Sequence, residues 1–402
     1  MIRKFTCSNF KNITVQNLEF ERINILIGPN NAGKSNFIRA LSFCANMVNG
    51  DQVEKTGLLS EIKRNGWENI LNRQAGKEGK REITFDWTLE FPGRNLEYQL
   101  NIHAGKNSGE FYITHESLQN AEKDLRYERP FNYFDCHDPD RGKGVFSSAA
   151  KRGQNNNRTF VNLSSEETVL LQFEKAFFDN PKLFSEKDIR ERTMQILNEM
   201  RLYFTSFYSY SSAAFDLSQI RELKDRIDGG ERLLKNAGNF VNVYDYCRRK
   251  DPDFEKIFKR RLKLLAPELE DIQVEEGLGK LGMLIKKGSD YFTLSEVSDG
   301  TVKMLVLILL LSITTQNGLS LLAVDEPEMN LHPAWQKLLA KQIQLSNNFR
   351  QCFISTHSPD FLDEFTEGFK AGEIGIFVFE ENTEKGIKKL NYRDAYETIK
   401  HL

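Results

Sequence analysis

The chain has 402 residues, of which 40% are hydrophobic and 28% charged, and its formal net charge at pH 7 is −2. The length suits two or three domains of about 150 residues each, and the composition is globular rather than disordered or collagen-like. The near-neutral charge gives no support to a general nucleic-acid-binding role, although a local basic patch is compatible with it.

Five cysteines lie far apart and form no CxxC pair, which argues against a disulfide framework and a zinc ribbon. Reduced thiols of this kind are typical of a cytoplasmic protein. The N-terminus carries no apolar stretch like that of a secretory signal. The longest apolar run, Met304 to Leu311, is shorter than the roughly 18 residues of a membrane helix, so we expect a buried core helix and no membrane segment.

The pattern over residues 1–40 predicts two strands, a loop and a helix. Three strand-like runs within 82–117, separated by turn residues, predict an antiparallel meander. The segment 135–160 is polar without periodicity and is expected to be a flexible loop. Residues 165–265 have helical spacing, and 272–294 return to strand-like alternation. From residue 296 the predicted order is loop, apolar helix, apolar strand, acidic turn, helix and two strands.

The glycine-rich segment, Gly28 to Ser35, reads GPNNAGKS and matches GxxxxGK[ST] at every fixed position, between an apolar strand and a helix. Such glycines let main-chain N–H groups surround phosphates, and the helix N-terminus adds partial positive charge. Lys34 is expected to reach the β- and γ-phosphates and Ser35 to bind Mg²⁺. The alternative is a chance turn. The expected nucleotide-binding residues here are Gly28, Asn30, Asn31, Ala32, Gly33, Lys34, Ser35 and Asn36.

A second motif is an apolar strand that ends in the acidic pair, Asp325 and Glu326. Asp325 is expected to hold Mg²⁺, and Glu326 to polarise the attacking water as general base. A solvated strand end would explain these residues if the strand stood alone. The combination of this strand with GxxxxGK[ST] favours a nucleotide hydrolase in which Lys34, Glu326 and His357 are the catalytic residues.

Two shorter motifs complete the set. His357 follows the apolar strand QCFIST, where a histidine can contact a γ-phosphate; a structural histidine is the alternative. Ser298 and Gly300 open the apolar helix and form an N-terminus suited to anions. Simple N-capping by Ser298 or Asp299 is the alternative for that turn.

The four motifs, in this order, resemble the ABC-type ATPases of the SMC, RecF and OLD clan, and in particular RecF-like bacterial AAA-family ATPases. The resemblance covers residues 1–45 and about 210–390. The segments that carry it are SNFKNI, GPNNAGKSN, SEVSDGTVKML, VDEPEMNLHP and STHSPDFLD. It implies an α/β fold: a P-loop ABC-type ATPase head with a mixed sheet, an antiparallel β subdomain and an inserted helical subdomain.

The resemblance also implies roles for single residues. Ser298 and Gly300 correspond to the signature motif, which touches the γ-phosphate of ATP held by a second subunit. His357 corresponds to the switch histidine, and Gln74 to the Q-loop glutamine that senses Mg²⁺. The domains implied are an ATPase lobe with the P-loop and β meander (1–134), a flexible loop (135–160), an inserted helical subdomain (161–270) and a second ATPase lobe (271–402).

ATP and Mg²⁺ are thus the expected cofactors, and two chains are expected to sandwich two ATP molecules as a homodimer or higher homo-oligomer. The resemblance favours a cytoplasmic molecular switch that controls a separately encoded effector, a nuclease or toxin, in anti-phage defence. A RecF-like DNA-repair clamp and a scaffold that binds ATP only to assemble are the alternatives. Nucleic acid therefore remains a possible partner, and no membrane partner is expected.

Three weaker patterns have a simple structural explanation beside a functional one. Asp135–Asp140 contains carboxylates and a histidine, but ligands in one short loop cannot easily surround a metal, which favours a charged loop. The basic residues within 248–263 suit phosphate contacts or a solvated helix face. The aromatic residues between Tyr203 and Tyr210 suit a core or a protein interface.

Overall fold

The structure is a computed structural model. It describes residues 1–48, 70–105, 111–124, 129–137, 144–147, 158–161, 163–181, 187–226, 232–313, 319–380 and 386–391. The chain divides into two compact units. The first comprises Met1–Glu21, Gly28–Phe207 and Val378–Lys389, and the second comprises Arg22–Ile27, Tyr208–Phe377 and Leu390–Leu402.

The strands are β1 (Ile2–Phe10), β2 (Ile13–Glu19), β3 (Ile23–Ile27), β4 (Glu82–Phe91), β5 (Arg94–Ala104), β6 (Phe111–Asp124), β7 (Arg129–His137), β8 (Gly144–Ser147), β9 (Arg158–Val161), β10 (Phe207–Ser211), β11 (Lys224–Asp225), β12 (Asp271–Gly277), β13 (Lys280–Lys287), β14 (Asp290–Thr293), β15 (Leu319–Asp325), β16 (Phe349–Ser355), β17 (Ile374–Phe379) and β18 (Ile387–Lys389). The α-helices are α1 (Lys34–Val48), α2 (Arg73–Lys77), α3 (Val169–Asp179), α4 (Lys187–Thr205), α5 (Leu217–Arg221), α6 (Phe240–Lys250), α7 (Phe254–Leu265), α8 (Asp299–Ser312), α9 (Pro333–Leu345), α10 (Pro359–Asp363) and α11 (Thr366–Lys370).

The first unit contains an antiparallel sheet in the order β2-β1-β4-β5-β6-β7-β8-β9. Its strands alternate apolar and polar residues, so one face carries a buried aromatic core. Phe85 of β4 stacks on Phe43 of α1 with ring centroids 5.7 Å apart, and Trp87 stacks on Tyr98 of β5 at 5.4 Å. These contacts hold α1 against the sheet. The predicted antiparallel meander is confirmed by β4, β5 and β6.

The segment 135–160 differs from its prediction. It begins with the last residues of β7 and contains β8 and most of β9, so the loop prediction is wrong for these residues; the rest of the segment lies outside the described residues. Four-residue strands give too little alternation to be recognised in a sequence. They form because they pair with an existing sheet edge, Cys136 of β7 lying opposite Phe146.

The second unit contains sheet strands in the order β10-β15-β16-β3-β17. β15 pairs with β16, and β16 with β3, in parallel. All five residues of β3 are buried, as expected for a parallel strand covered on both faces. A small antiparallel sheet in the order β11-β13-β12, with β14 also paired to β13, lies in the same unit.

Helix α8 is the long apolar helix of the sequence. Every residue from Met304 to Leu311 is buried, which confirms the predicted core helix. Even Lys303 is only 5% exposed, and burial lowers the pKa of its ammonium group. Among the helices in the described part of the chain, none combines the length and the apolarity needed to cross a bilayer.

The two units do not follow the predicted domain limits. Helices α3 and α4 belong to the first unit, although the sequence suggests that they are part of a helical insertion over 161–270, and α5 to α7 belong to the second. The aromatic residues between Tyr203 and Tyr210 lie at this division and are all buried, with exposures of 5% or less. The sequence suited either a core or a protein interface for these residues. Their burial shows that they are core residues within each unit.

Candidate nucleotide-binding site

The glycine-rich segment follows β3 directly and leads into α1. Gly28, Asn31 and Gly33 have φ values of +141°, +66° and +108°, and this repeated use of positive φ curls the main chain. A Cβ on Gly28 would lie 2.3 Å from the carbonyl oxygen of Phe379, and one on Gly33 would lie 2.8 Å from Nδ2 of Asn12. Both glycines are therefore required by conformation and by space.

Lys34 closes this curl at the start of α1. Its side chain is buried, and its Nζ donates to the carbonyl oxygens of Gly28 at 2.7 Å and Pro29 at 3.0 Å. Asn36 donates to Oδ1 of Asn12 at 2.8 Å, which fixes the first turn of the helix to the β1–β2 connection. The other expected phosphate-binding residues are placed as follows: Ala32 buried, Ser35 half-buried, and Asn30 and Asn31 exposed.

Three parallel strands of the second unit end at the same edge of their sheet. In the strand register Asp325 of β15 lies opposite Ser355 of β16, and Ser355 lies opposite Leu26 of β3. The carboxyl ends of neighbouring parallel strands are the usual position of ligand sites in α/β folds. Asp325, the loop that carries His357, and the residue that precedes the glycine-rich segment all belong to this edge.

The acidic pair is held by Ser355. The carboxylate of Asp325 accepts a hydrogen bond from the hydroxyl of Ser355. Glu326 adopts φ +50° and donates its main-chain N–H to the carbonyl oxygen and the hydroxyl of Ser355, at 3.2 and 3.1 Å. Oε1 of Glu326 lies 3.2 Å from Nε2 of His357. The structure thus brings together the general base and the histidine that the sequence predicts as catalytic.

Glu328 is a residue that the sequence analysis missed. It is 6% exposed, and its Oε1 accepts hydrogen bonds from the Thr356 hydroxyl at 2.6 Å and from the His357 main-chain N–H at 3.1 Å. Burial raises the pKa of this carboxyl group, and the nearby charge of Glu326 adds to the increase. Its Oε2 is buried and has no hydrogen-bond partner among the described residues. Glu328 therefore fixes the loop that carries His357.

Ser298 caps α8, accepting from the Thr301 N–H at 3.2 Å, so the structural explanation of this turn is observed. A Cβ on Gly300 would lie 2.9 Å from the carbonyl oxygen of Asn330, which leaves room for glycine alone. Arg221, also missed from the sequence, holds the turn: its guanidinium donates to the carbonyl oxygens of Leu294 and Val297 at 3.0 Å and to Asp299 at 2.7 Å.

Gln74 lies on the short helix α2, and it is exposed. Its amide donates to Oε1 of Glu78 in the same helix at 2.9 Å. The residues just before α2 pair with the β1–β2 connection, Leu71 forming a bridge with Phe10. The Mg²⁺-sensing role of Gln74 stays a prediction.

Three of the eight basic residues within 248–263 form ion pairs inside the second unit. Arg248 and Arg249 both form ion pairs with the buried Asp245, at 2.7 and 2.9 Å. Lys259 forms ion pairs with Glu255 and Asp271 at 2.9 and 2.8 Å. Lys256, Arg260 and Lys263 are exposed on α7, so phosphate contacts and a solvated helix face both stay explanations of this pattern.

Comparison with known proteins identifies two curated relatives. The chain is 22% identical to "Endonuclease GajA" of Bacillus cereus (strain VD045) over 372 residues, which are 89% of this chain and 56% of that protein. It is 25% identical to "Retron Vc95 probable ATPase" of Vibrio cholerae serotype O1 biovar El Tor over 149 residues, 34% of this chain and 28% of that protein. The chain thus spans about half the length of the first relative and about a quarter of the second.

The fold is also that of a solved structure. A crystallised SmcHead bound to the C-winged helix domain of ScpA matches with a TM-score of 0.54 and 13% identity, over 98% of this chain and 99% of that one. The match confirms the predicted fold class, an α/β ATPase head with several sheets and helices. It concerns the fold alone.

The sequence motifs fall within one family model. It matches residues 23–363, a range that begins at β3 and ends with α10. The glycine-rich segment, the Ser298 turn, the acidic pair and His357 all lie inside it. This agrees with the prediction of an AAA-family ATPase related to defence proteins. The chain belongs to the family described as "AAA domain, putative AbiEii toxin, Type IV TA system".

Proposed function

We propose that the chain binds ATP with Mg²⁺ and hydrolyses it. The observation that carries the proposal is the 3.2 Å approach of the Glu326 carboxylate to Nε2 of His357 at the end of a parallel strand, with both side chains about one-third exposed. A carboxylate that meets solvent and is held by a histidine is suited to accept a proton from an attacking water. Glu326 is the proposed general base, and His357 the proposed contact to the γ-phosphate.

The glycine-rich segment is the proposed phosphate site. Its curled main chain and the N-terminus of α1 offer N–H groups and partial positive charge to an anion. Lys34 at present donates to the carbonyl oxygens of Gly28 and Pro29. On nucleotide binding it would exchange these partners for phosphate oxygens, which are stronger acceptors because they are charged.

Ser35 and Asp325 are the proposed Mg²⁺ ligands. A hydroxyl and a carboxylate are the oxygen donors that this ion takes in nucleotide sites, and the hydrogen bond from Ser355 orients the carboxylate of Asp325. Gln74 would join them only after its amide has left Glu78. Bound Mg²⁺ supplies neutralisation of the negative charge that develops on the β- and γ-phosphates.

We propose further that two chains sandwich two ATP molecules, Ser298 and Gly300 of one chain facing the γ-phosphate held by the other. The α8 N-terminus supports this, because it carries partial positive charge and Ser298 at its cap position is exposed. Charge-assisted hydrogen bonds to phosphate contribute about 1.5–3 kcal/mol each. ATP would therefore favour the closed dimer, and loss of the γ-phosphate would open it.

The proposed output of this switch is control of a separately encoded effector, a nuclease or toxin, in bacterial defence against phage. The support is the likeness to an endonuclease and to a retron ATPase, together with the family description. The scattered cysteines agree with a cytoplasmic setting. A DNA clamp in the RecF manner gains little support, because the net charge of the chain is only −2 and three of the eight basic residues within 248–263 are ion-paired within the chain.

The test is the substitution Glu326→Gln, measured against the wild type as steady-state ATP turnover and as nucleotide affinity. The variant keeps the shape of the side chain and loses the base, so we expect turnover to fall by at least about 100-fold while ATP is still bound. It should also accumulate as an ATP-dependent dimer in size-exclusion chromatography. Wild-type turnover in this variant would remove Glu326 as the base, and absence of Mg²⁺-dependent ATP binding in the wild type would overturn the whole proposal.

A further inference from the structure

Three side chains of the first unit, outside the proposed nucleotide-binding site, converge on one point of the antiparallel sheet. They are His115 of β6 and Asp135 and His137 of β7, here called the His–Asp–His cluster. In the strand register His115 lies opposite His137, and Asp135 lies opposite Ser117. Because side chains alternate between the faces of a strand, all three lie on the same face. The pair between them, Glu116 and Cys136, lies on the other, buried face.

The geometry of the cluster is close. Oδ1 of Asp135 lies 2.9 Å from Nε2 of His115 and 2.8 Å from Nε2 of His137. The two imidazole rings are stacked, with centroids 4.3 Å apart and planes 6° apart, and both Nε2 atoms lie close to the same carboxylate oxygen. All three donor atoms lie within 4.8 Å of one another. The side chains are 19%, 32% and 53% exposed for His115, Asp135 and His137, so the point is reachable from solvent.

We propose that the His–Asp–His cluster binds a divalent transition-metal ion of the zinc class through the two Nε2 atoms and Oδ1 of Asp135. Two neutral imidazoles and one carboxylate are a donor set that suits Zn²⁺ and its neighbours, and three protein ligands leave a coordination position open. The strands carry their ligands in fixed register, which limits the entropy lost on binding. The proposal is independent of the ATP site, since Mg²⁺ prefers oxygen ligands throughout.

The sequence did not predict this site, because it placed candidate ligands only within Asp135–Asp140. Residues 138–140 lie outside the described residues, and the third ligand is His115, twenty residues away from Asp135 in the chain. The pairing of β6 with β7 brings His115 next to the other two ligands.

The alternative explanation is a hydrogen-bonded trio in which Asp135 accepts from both imidazoles and no ion binds. Direct metal titration of the full chain distinguishes the two explanations. The chain is first treated with a chelator, and the titration is done with excess Mg²⁺ and without nucleotide. We expect the wild type to bind one equivalent of Zn²⁺ more than His137→Gln or His115→Gln. Loss of an outer partner of a metal ligand costs 10–100-fold in affinity, so loss of a ligand itself should cost at least about 100-fold.

The matched control is His103→Gln. His103 lies on β5 of the same sheet and packs against Tyr112, with ring centroids 5.2 Å apart, and it is not one of the three proposed ligands. This variant should bind the same number of Zn²⁺ equivalents as the wild type, with the same affinity. Co²⁺ provides a second measurement: its visible absorption should report a site with nitrogen ligands in the wild type and in His103→Gln, and disappear in both cluster variants.

Asp135→Asn is a third cluster variant. It replaces one carboxylate oxygen with an amide group of the same shape, so folding should be disturbed least. Zn²⁺ should raise the melting temperature of the wild type and of His103→Gln, because an ion that binds only the folded state stabilises it, and should leave that of Asp135→Asn unchanged. The proposal is overturned if the wild type and the cluster variants bind the same number of Zn²⁺ equivalents with the same affinity. It is overturned equally if Zn²⁺ shifts the melting temperature of Asp135→Asn as much as that of the wild type.

Discussion

At the scale of single residues, Glu326 and Glu328 are two carboxylates in one turn with opposite surroundings. Glu326 is partly solvated and contacts the His357 ring, whereas Glu328 is buried beneath the His357 main chain. Burial raises the pKa of Glu328, while its Oε1 still accepts two hydrogen bonds. The first environment suits proton transfer, and the second suits positioning.

We expect Glu328→Ala to lower kcat and to leave KM nearly unchanged. The variant leaves the Thr356 hydroxyl and the His357 N–H without their acceptor, which should cost about 1–3 kcal/mol of stability. A small displacement of His357 should lower kcat by roughly 10- to 100-fold. Steady-state ATP turnover measures this.

Glu328→Gln is the matched control, because glutamine keeps the Oε1 acceptor and should restore most of kcat. If Glu328→Ala turns over ATP like the wild type, Glu328 is not a positioning residue. If the glutamine variant is as slow as the alanine variant, the charge of Glu328 matters and its role has been assigned wrongly.

The sequence alone could propose the acidic pair, because an apolar strand ending in two acids is a local pattern. It could not propose Glu328 or Arg221 in the same way. Their partners, Thr356 and the turn before Ser298, lie far along the chain and become neighbours only through strand pairing and helix packing. The roles assigned to Lys34, Ser35, Gln74 and the other site residues stay predictions until they are measured.

At the scale of elements, strands and helices with a strong local period were predicted and short ones were not. The buried helix α8 and the meander β4-β5-β6 follow from apolar spacing alone. β8 and β9 have four residues each and exist because the edge of β7 offers unpaired N–H and C=O groups. Local propensity could not identify them, since their stabilisation comes from the neighbouring strand.

The connection between β6 and α3 depends on one buried acid. Glu116 of β6 accepts from the Tyr98 hydroxyl at 2.8 Å and from the main-chain N–H of Val169, the first residue of α3, at 2.7 Å. The N-terminus of α3 favours the ionised form, but burial is the larger effect and raises the pKa of Glu116 to about 7. The carboxyl group is therefore mainly protonated in the folded chain below that pH.

This pKa predicts how stability changes with pH. Between about 4.5, the ordinary value, and about 7, the folded chain holds a proton on Glu116 that the unfolded chain has lost. The contribution of Glu116 to stability is therefore fully present below pH 4.5 and is lost as pH rises through about 7. The total change is on the order of 3 kcal/mol.

Glu116→Gln removes this titration, so the difference in urea unfolding midpoint between wild type and variant should change in favour of the variant from about pH 5 to about pH 8. Glu97→Gln, an exposed acid on β5, is the matched control and should follow the wild type at both pH values. Parallel pH curves for the wild type and Glu116→Gln would show that Glu116 has an ordinary pKa.

At the scale of the whole molecule, the order of the motifs was enough to predict the fold class, but the limits of the compact units were not predictable. The first unit is made of three separate stretches of chain, and the short stretch Arg22–Ile27 between two of them belongs to the second unit. A reading along the sequence assigns neighbouring residues to the same domain. This assignment is wrong for β3, because that strand pairs with strands that come more than three hundred residues later, such as β16.

The proposed dimer can be tested by mixing two variants, because each ATP site would contain residues of both chains. If each ATP site takes its phosphate-binding residues and acidic pair from one chain and Ser298 with Gly300 from its partner, Lys34→Ala and Ser298→Arg inactivate different halves of a site. A mixed dimer of the two variants then contains one intact site, because a two-fold interface repeats the same contacts in both directions. Each variant alone contains none.

Mixing equal amounts of the two inactive variants should therefore restore ATP turnover to roughly a quarter of the wild-type rate, since about half of the dimers are mixed and each has one working site of two. The matched control mixes Lys34→Ala with Glu326→Gln, whose lesions fall in the same half, so no combination of these chains builds an intact site and turnover should stay at background. If the first mixture is as inactive as the second, the sites are not shared between chains, and Ser298 must act, if at all, within its own chain. Restoration in both mixtures would contradict the assignment of Glu326 and Lys34 to one half.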